Sequence, residues 1–464
     1  MSASAVVCAD VGSTYTKVAA VDEVTGELYA TAAHPTTVGT DVLEGLGAAR
    51  AVLESRLPAG VGVSGTLVCS SAGGGLTCAV IGNEPLVTAT AAHRAALSAG
   101  ARIVRVAAGA LSAADVAGIA ETVPDTILLA GGTDGGDATV LLEHARQLAE
   151  AAGAEARLRV PVVLAANAKA APEVEGILTR AGLSVRSVGN VLPRIGRLRP
   201  QEAREALREA FLTHVIAGKR LSAGEEFTRM VRAATPDAVL RGVELLADGH
   251  GEVPGRGDLL LVDVGGATTD VYSVLTPDAE LLGPRAEVAG TQWRARTVEG
   301  DLGMRWNAPG VVEAALGEKL LTPDEADGLA AAVAVRAADP GFLPADGAEA
   351  AVDERLAALA ITVALRRHAR GERLDGPDGP FRGGKDLRQV ALVVGSGGAL
   401  RHARAGRGVG VVRSAIADGA GGWPLPVSPS VTVDARYVLA AAGLLAEVLP
   451  GAAARLLAGC LGGV

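Results

Sequence analysis

Aliphatic residues come along this chain in short runs that stop on glycine. The clearest is Leu259 to Val264, which passes through Gly265-Gly266-Ala267-Thr268-Thr269-Asp270 and resumes at Val271 to Val274. Runs of that length bounded by turn residues predict a buried strand, a tight turn and a returning strand. Val6 to Asp10 repeats the design, followed by Val11-Gly12-Ser13-Thr14-Tyr15-Thr16-Lys17, a second strand over Val18 to Val21 and a third over Leu28 to Ala32. Val390 to Val394 is another such strand, running into Gly395-Ser396-Gly397-Gly398.

Between these strand ends the period changes. Gly39 to Leu57 and Leu86 to Ala99 have helical spacing, and Val63 to Ser71 reads as a strand leading to the turn Gly73-Gly74-Gly75. From Ala101 to Pro193 strands and helices alternate. The strands fall at Ile103 to Val106, Thr126 to Ala130, Pro161 to Ala165 and Ser184 to Val188, the helices at Ala113 to Thr122, Ala138 to Ala152 and Ala171 to Ala181. Units of this length predict a small parallel sheet, read as a separate inserted domain. Its loop Gly131 to Asp137 lacks the Lys-Ser/Thr of a P-loop and reads as a turn in which Asp137 caps the next helix. Arg194 to Gly251 looks helical, with a start at Thr235-Pro236, and Glu252 to Asp258 is a linker. Trp306 to Arg370 is mostly helical, Leu374 to Lys385 is a loop, and Asp434 to Val448 is a final helix capped by Thr432 or Asp434.

Composition narrows the function classes. A chain of 464 residues is too long for one typical core. Its 43 Lys and Arg against 52 Asp and Glu, a net charge of -9, argue against a nucleic-acid partner. Cys8, Cys69, Cys78 and Cys460 include no Cys-x-x-Cys pair, so they read as structural thiols rather than a zinc or iron-sulfur motif. No basic leader precedes an apolar segment, and no apolar run is long enough to span a bilayer. A cytoplasmic protein without a membrane partner is the expectation.

The glycine turns carry the chemistry. Exposed amides flanked by hydroxyls suit phosphate oxygens, a nearby lysine adds a charge-assisted contact, and carboxylates beside them suit a hydrated divalent cation. Asp10-x-Gly-Ser-Thr-x-Thr-Lys17 resembles the first phosphate loop of the actin, heat-shock chaperone and sugar kinase superfamily. Asp263-x-Gly-Gly-x-Thr-Thr-Asp270 resembles its second phosphate loop, and Val394-Gly-Ser-Gly-Gly398 its adenosine loop. The resemblance implies an α/β fold of two ribonuclease-H-like (actin-like ATPase) domains around a nucleotide cleft, with an inserted βα domain. The lobes would be residues 1–99 completed by 432–464, an insert over 100–193, a helical connector over 194–257 and a second lobe over 258–431.

In such a cleft Gly12, Ser13, Thr14, Lys17, Gly265, Gly266 and Thr268 would bind the phosphates of ATP. Asp10 and Asp263 would hold Mg²⁺, and Gly395, Gly397 and Gly398 would leave room for adenosine. One acid, Asp263, Asp270 or Glu299, would orient the attacking water; the sequence leaves the three open. Leu128-Leu-Ala-Gly-Gly-Thr-Asp-Gly-Gly136, Thr235-Pro-x-Ala-Val239, Arg296-Thr-Val-Glu-Gly-Asp-Leu-Gly-Met-Arg305 and Gly384-Lys-Asp-Leu387 are similar to the accessory proteins of methylaspartate (glutamate) mutase. That resemblance covers most of the chain. It implies an ATP-dependent reactivating factor, a chaperone in kind, whose partners are subunits of an adenosylcobalamin-dependent mutase. A small-molecule kinase using the same cleft is the alternative, and a polymer-forming actin-like protein a further one.

Overall fold

The computed structural model describes residues 4–218, 221–276, 289, 293–373 and 381–462; most of the loop expected from Leu374 to Lys385 lies outside them. Two five-stranded mixed sheets have the same strand order. In the first, Ser4–Val11, Tyr15–Asp22 and Leu28–Pro35 form an antiparallel meander, and Gly62–Ser70 and Val231–Ala234 add in parallel beyond Ser4–Val11. In the second, Leu259–Val264, Thr269–Val274 and Arg294–Glu299 form the meander, and Leu392–Ser396 and Ser430–Val433 add in parallel.

Alternation along the strands sets the layers, because successive side chains point to opposite faces. Val7, Ala9 and Val11 face an outer core with the helix Val42–Glu54, whereas Val6 and Cys8 face inward. Leu260, Val262 and Val264 face the outer core of the second sheet, and Leu259 and Leu261 face inward. The inner core is common to both sheets and contains the helices Thr235–Asp248 and Val438–Leu445. These two helices meet at glycines. A Cβ on Gly443 would overlap the Ala238 carbonyl oxygen, and one on Gly242 would overlap that of Leu439.

A third, all-parallel sheet has the order Arg102–Ala108, Thr77–Gly82, Thr126–Leu129, Val162–Leu164, Val185–Ser187. Its elements within 101–193 fall within a few residues of the predicted ones. It begins earlier, however, with Thr77–Gly82, and it is not a separate body. Cys78, Val80, Leu128, Ala130, Val163 and Ala165 join the outer core of the first sheet, while Ala79, Ile81, Ile127, Leu129, Val162 and Leu164 join the sheet's own helices.

The region expected as a helical connector also belongs to the first lobe. Val231–Ala234 completes its sheet, and the helix Gln201–Ala210 buries Ala203, Ala206 and Leu207 in its core. The C-terminal helix is shorter than expected, and a second one, Pro450–Leu461, follows it. Among the described residues no helix is long and apolar enough to cross a membrane.

Because the helix crossing at Gly443 has no room for a methyl group, Gly443→Ala is expected to cost about 1–3 kcal/mol by overpacking. Scanning calorimetry should show a lower melting temperature; an unchanged transition would contradict the contact.

Candidate functional site

The two glycine hairpins are built alike. The Gly12 amide donates to the Tyr15 carbonyl at 3.1 Å, and the Gly265 amide to the Thr268 carbonyl at 2.9 Å. A Cβ on either glycine would lie 2.8 or 2.9 Å from that same carbonyl oxygen, so neither turn closes with a larger residue. The strand registers put Asp10 opposite Lys17 and Asp263 opposite Asp270. Equivalent positions thus present a cation in one hairpin and an anion in the other.

Both hairpins open on one cleft of about 2120 Å³ between the sheets. Asp10, Gly12, Ser13, Thr14, Lys17, Asp263, Gly265, Gly266, Thr268, Asp270, Glu299 and Gly398 all line it. Gly395 and Gly397 do not. A Cβ on Gly395 would meet Val412 at 2.6 Å and Leu400 at 2.9 Å in the outer core, and Gly397, with φ 108°, packs on the Val264 carbonyl. These two glycines are needed for close packing at the strand end. Ser396, between them, faces the cleft. The Gly131 to Asp137 loop does not line the cleft; Asp137 accepts from the Thr139 amide at 3.0 Å, and Asn167 ties down Gly135 and Gly136.

The stretch after Glu299 buttresses the second hairpin. The Met304 amide donates to the Gly265 carbonyl at 3.0 Å, and the Arg305 and Trp306 amides donate to Gly266 at 2.8 and 3.0 Å. Gly303 lies so close to Ala267 that no side chain fits there. Arg305 then reaches Asp353 at 2.8 Å, and Asp353 also holds the buried Arg336 at 2.6 Å.

Electrostatics separates the candidate residues. Lys17 Nζ is 3.6 Å from Asp10 Oδ2 and 3.7 Å from the centroid of the Tyr437 ring. Burial works to lower its pKa, but Tyr437, Asp10 and Asp263 outweigh burial and hold it above the ordinary lysine value. Asp10 also accepts from the Thr235 hydroxyl at 2.6 Å and the Cys69 thiol at 3.7 Å. Asp263 is pushed up from 3.8 to about 6, chiefly by burial, with Asp270 and Asp10 adding and Lys17 opposing.

Asp270 is held by Arg296 at 2.6 Å and by the Thr268 hydroxyl at 3.0 Å. Glu299 is held by Arg367 at 2.7 Å, and Arg367 also pairs with Asp301. Among the described residues Asp263 is the one of these three acids without an arginine partner. The described residues contain no group of three or more His, Cys, Asp or Glu side chains able to hold a metal. Asp10 and Asp263 offer two carboxylates, which fits the small number a hydrated Mg²⁺ uses.

Thr235 and Tyr437 are cleft residues that the sequence does not mark as candidate site residues. Thr235 reads as a helix start within the Thr235-Pro-x-Ala-Val239 motif and Tyr437 falls inside the expected final helix; both arrive through the packing of the two inner helices.

A protein-family model described as MutL protein matches residues 6–461. Protein MutL of Clostridium tetanomorphum is 38% identical over 457 residues, covering 97% of this chain and 97% of the relative. The chain belongs to the MutL family. Membership bears out the family resemblance read from its motifs. Among solved structures, the chain is similar to nucleotide-free acetone carboxylase, with 16% identity, TM-score 0.38, and 95% of this chain and 70% of that one covered. It is similar also to a glycerol dehydratase reactivase, with 13% identity, TM-score 0.32, and coverage of 96% and 99%.

A carboxyl raised in the fold binds its proton more tightly there than in the unfolded chain. Between its ordinary value and about pH 6, stability therefore falls as pH rises, and above that range the cost is complete. Asp263→Asn is expected to stabilise the metal-free protein near neutral pH by about 1–2 kcal/mol, with the gain disappearing below about pH 4. Thermal melts across that range check it, and an Asn variant less stable at neutral pH refutes it.

Proposed function

We propose that the chain binds and hydrolyses ATP and reactivates or assembles an adenosylcobalamin-dependent mutase of the glutamate (methylaspartate) type. The observation that carries this reading is the pair of matched hairpins, from two sheets of one strand order, sharing a cleft with Asp10, Asp263 and Lys17. The repeated order supports two ribonuclease-H-like halves of actin-like architecture. The cleft lining carries more lysine and arginine side chains than carboxylates, although the whole chain has a net charge of -9. Such a local excess suits a polyanionic ligand.

In this reading the amides and hydroxyls of Gly12, Ser13, Thr14, Gly265, Gly266 and Thr268 hold the phosphates, and Lys17 adds charge to them. Asp10 and Asp263 would take a hydrated Mg²⁺, which supplies neutralisation of phosphate charge. Arg296 and Arg367 already occupy Asp270 and Glu299, which favours Asp263 as the acid that orients water. Gly398 remains the adenosine-side glycine.

Family membership supports the mutase partner that the motifs imply. The third sheet is the proposed docking unit, because the phosphate hairpins come from the other two sheets. Deleting it would expose the core it shares with the first lobe, so a surface substitution is the cleaner probe. Val123, 56% exposed just after the helix Ala113–Glu121 of that unit and outside the cleft lining, is suited to it. The cleft also exceeds the roughly 300–1,000 Å³ common for small-ligand pockets. That room keeps one second reading, a kinase with a metabolite acceptor.

Asp263→Ala is expected to lower ATP turnover at least about tenfold, roughly 1.4 kcal/mol of barrier. A phosphate-release assay measures it, and a folded variant with wild-type turnover removes Asp263 from the role. With Mg²⁺ and ATP, the wild-type protein is expected to restore turnover to an inactivated mutase, and Val123→Asp to lose most of that effect while still binding ATP. Undiminished reactivation by Val123→Asp would move the docking surface elsewhere. Turnover that requires a metabolite and ignores mutase subunits would establish the kinase reading instead.

A further inference from the structure

Among the described residues, Val123, Lys319 and Tyr437 are the non-glycine positions with positive φ, and Tyr437 is the one that lines the cleft. At φ 60° and ψ 42° it sits in the left-handed region, where a bulky side chain is strained. Its surroundings hold it there. The Tyr437 amide donates to the Asp434 carbonyl, and the Asp434 carboxylate accepts from the Val438 and Leu439 amides at 3.0 and 3.1 Å. The helix that follows is locked against Thr235–Asp248 by the glycine contacts at Gly242 and Gly443.

The strain positions the ring. Lys17, from the first sheet, places Nζ 3.7 Å from the ring centroid. Arg401, from the short helix after the Leu392–Ser396 strand of the second sheet, places Cζ 5.3 Å from the same centroid. One side chain therefore receives a cation from each lobe. A carboxylate at this point would also hold two cations, but it would repel an anionic ligand. An aromatic face attracts them through its quadrupole and adds no negative charge of its own, so the Asp10 carboxylate 3.6 Å from Lys17 is not joined there by a second one.

We propose that Tyr437 is a positioning residue that keeps Lys17 and Arg401, one from each lobe, poised for the same polyphosphate. This rests on the ATP reading of the cleft. The ring fixes where the two cations wait, and a polyphosphate that engages both draws the lobes onto one ligand.

Calorimetric titration of the full chain without Mg²⁺, using ATP, pyrophosphate and adenosine separately, tests it. Tyr437→Leu is expected to weaken ATP and pyrophosphate at least about fivefold, on the scale of a desolvated cation–π contact, with adenosine affinity changed less than about twofold. Tyr437→Phe, which keeps the ring, should recover most of that loss. If the Leu variant does not fold, Tyr437→Asn, a residue that tolerates the left-handed backbone, removes the ring in its place. Unchanged pyrophosphate affinity, or equal losses for pyrophosphate and adenosine, overturns the proposal. A wild-type protein that binds neither ATP nor pyrophosphate overturns the nucleotide reading first, and the role of Tyr437 with it.

Discussion

The contact between the helices Thr235–Asp248 and Val438–Leu445 governs how far apart the two mixed sheets can stand. With no side chain at Gly242 or Gly443 the backbones meet, and each sheet buries its inward residues on the same helix pair. The two hairpins consequently open on a single cleft rather than on two separate surfaces. The same helices deliver chemistry at their N-terminal ends. Thr235 brings its hydroxyl to Asp10, and Tyr437, just ahead of the second helix, brings its ring to Lys17. A change that loosened the crossing would therefore disturb the site as well as the core.

Repetition of the backbone is accompanied by divergence of charge. Lys17 and Asp270 occupy equivalent registers, yet Lys17 is held above its ordinary pKa while Asp270 is neutralised by Arg296. Asp263 is driven toward its neutral form, and Asp10 is occupied by Lys17 and Thr235. Carboxylates are needed beside a hydrated cation, but unpaired they would repel phosphate. Pairing most of them, and raising the proton affinity of Asp263, limits that repulsion before any ligand arrives.

The strand ends at Asp10, Asp263 and Val394 were legible because their signal is local: an aliphatic run, an acid or glycine, and a turn that a Cβ would block. The alternating elements of 101–193 were legible for a similar reason, since period and length suffice to separate strand from helix. Thr77–Gly82 was hidden behind the glycine turn that precedes it, and Val231–Ala234 is four residues long and runs straight into the Thr235-Pro236 helix start. Gly395 and Gly397 share the composition of ligand-facing glycines, and only their neighbours reveal that they serve packing. Tyr437 depends wholly on tertiary structure, because its backbone conformation and both cations come from distant parts of the chain.

The third sheet sends alternate residues into the outer core of the first. A shared core of this kind transmits displacement without a joint, so the third sheet and the first sheet would move as one body. Any rotation of the first sheet would therefore carry along the edge strand Arg102–Ala108, which lines the same cleft as the hairpin at Asp10.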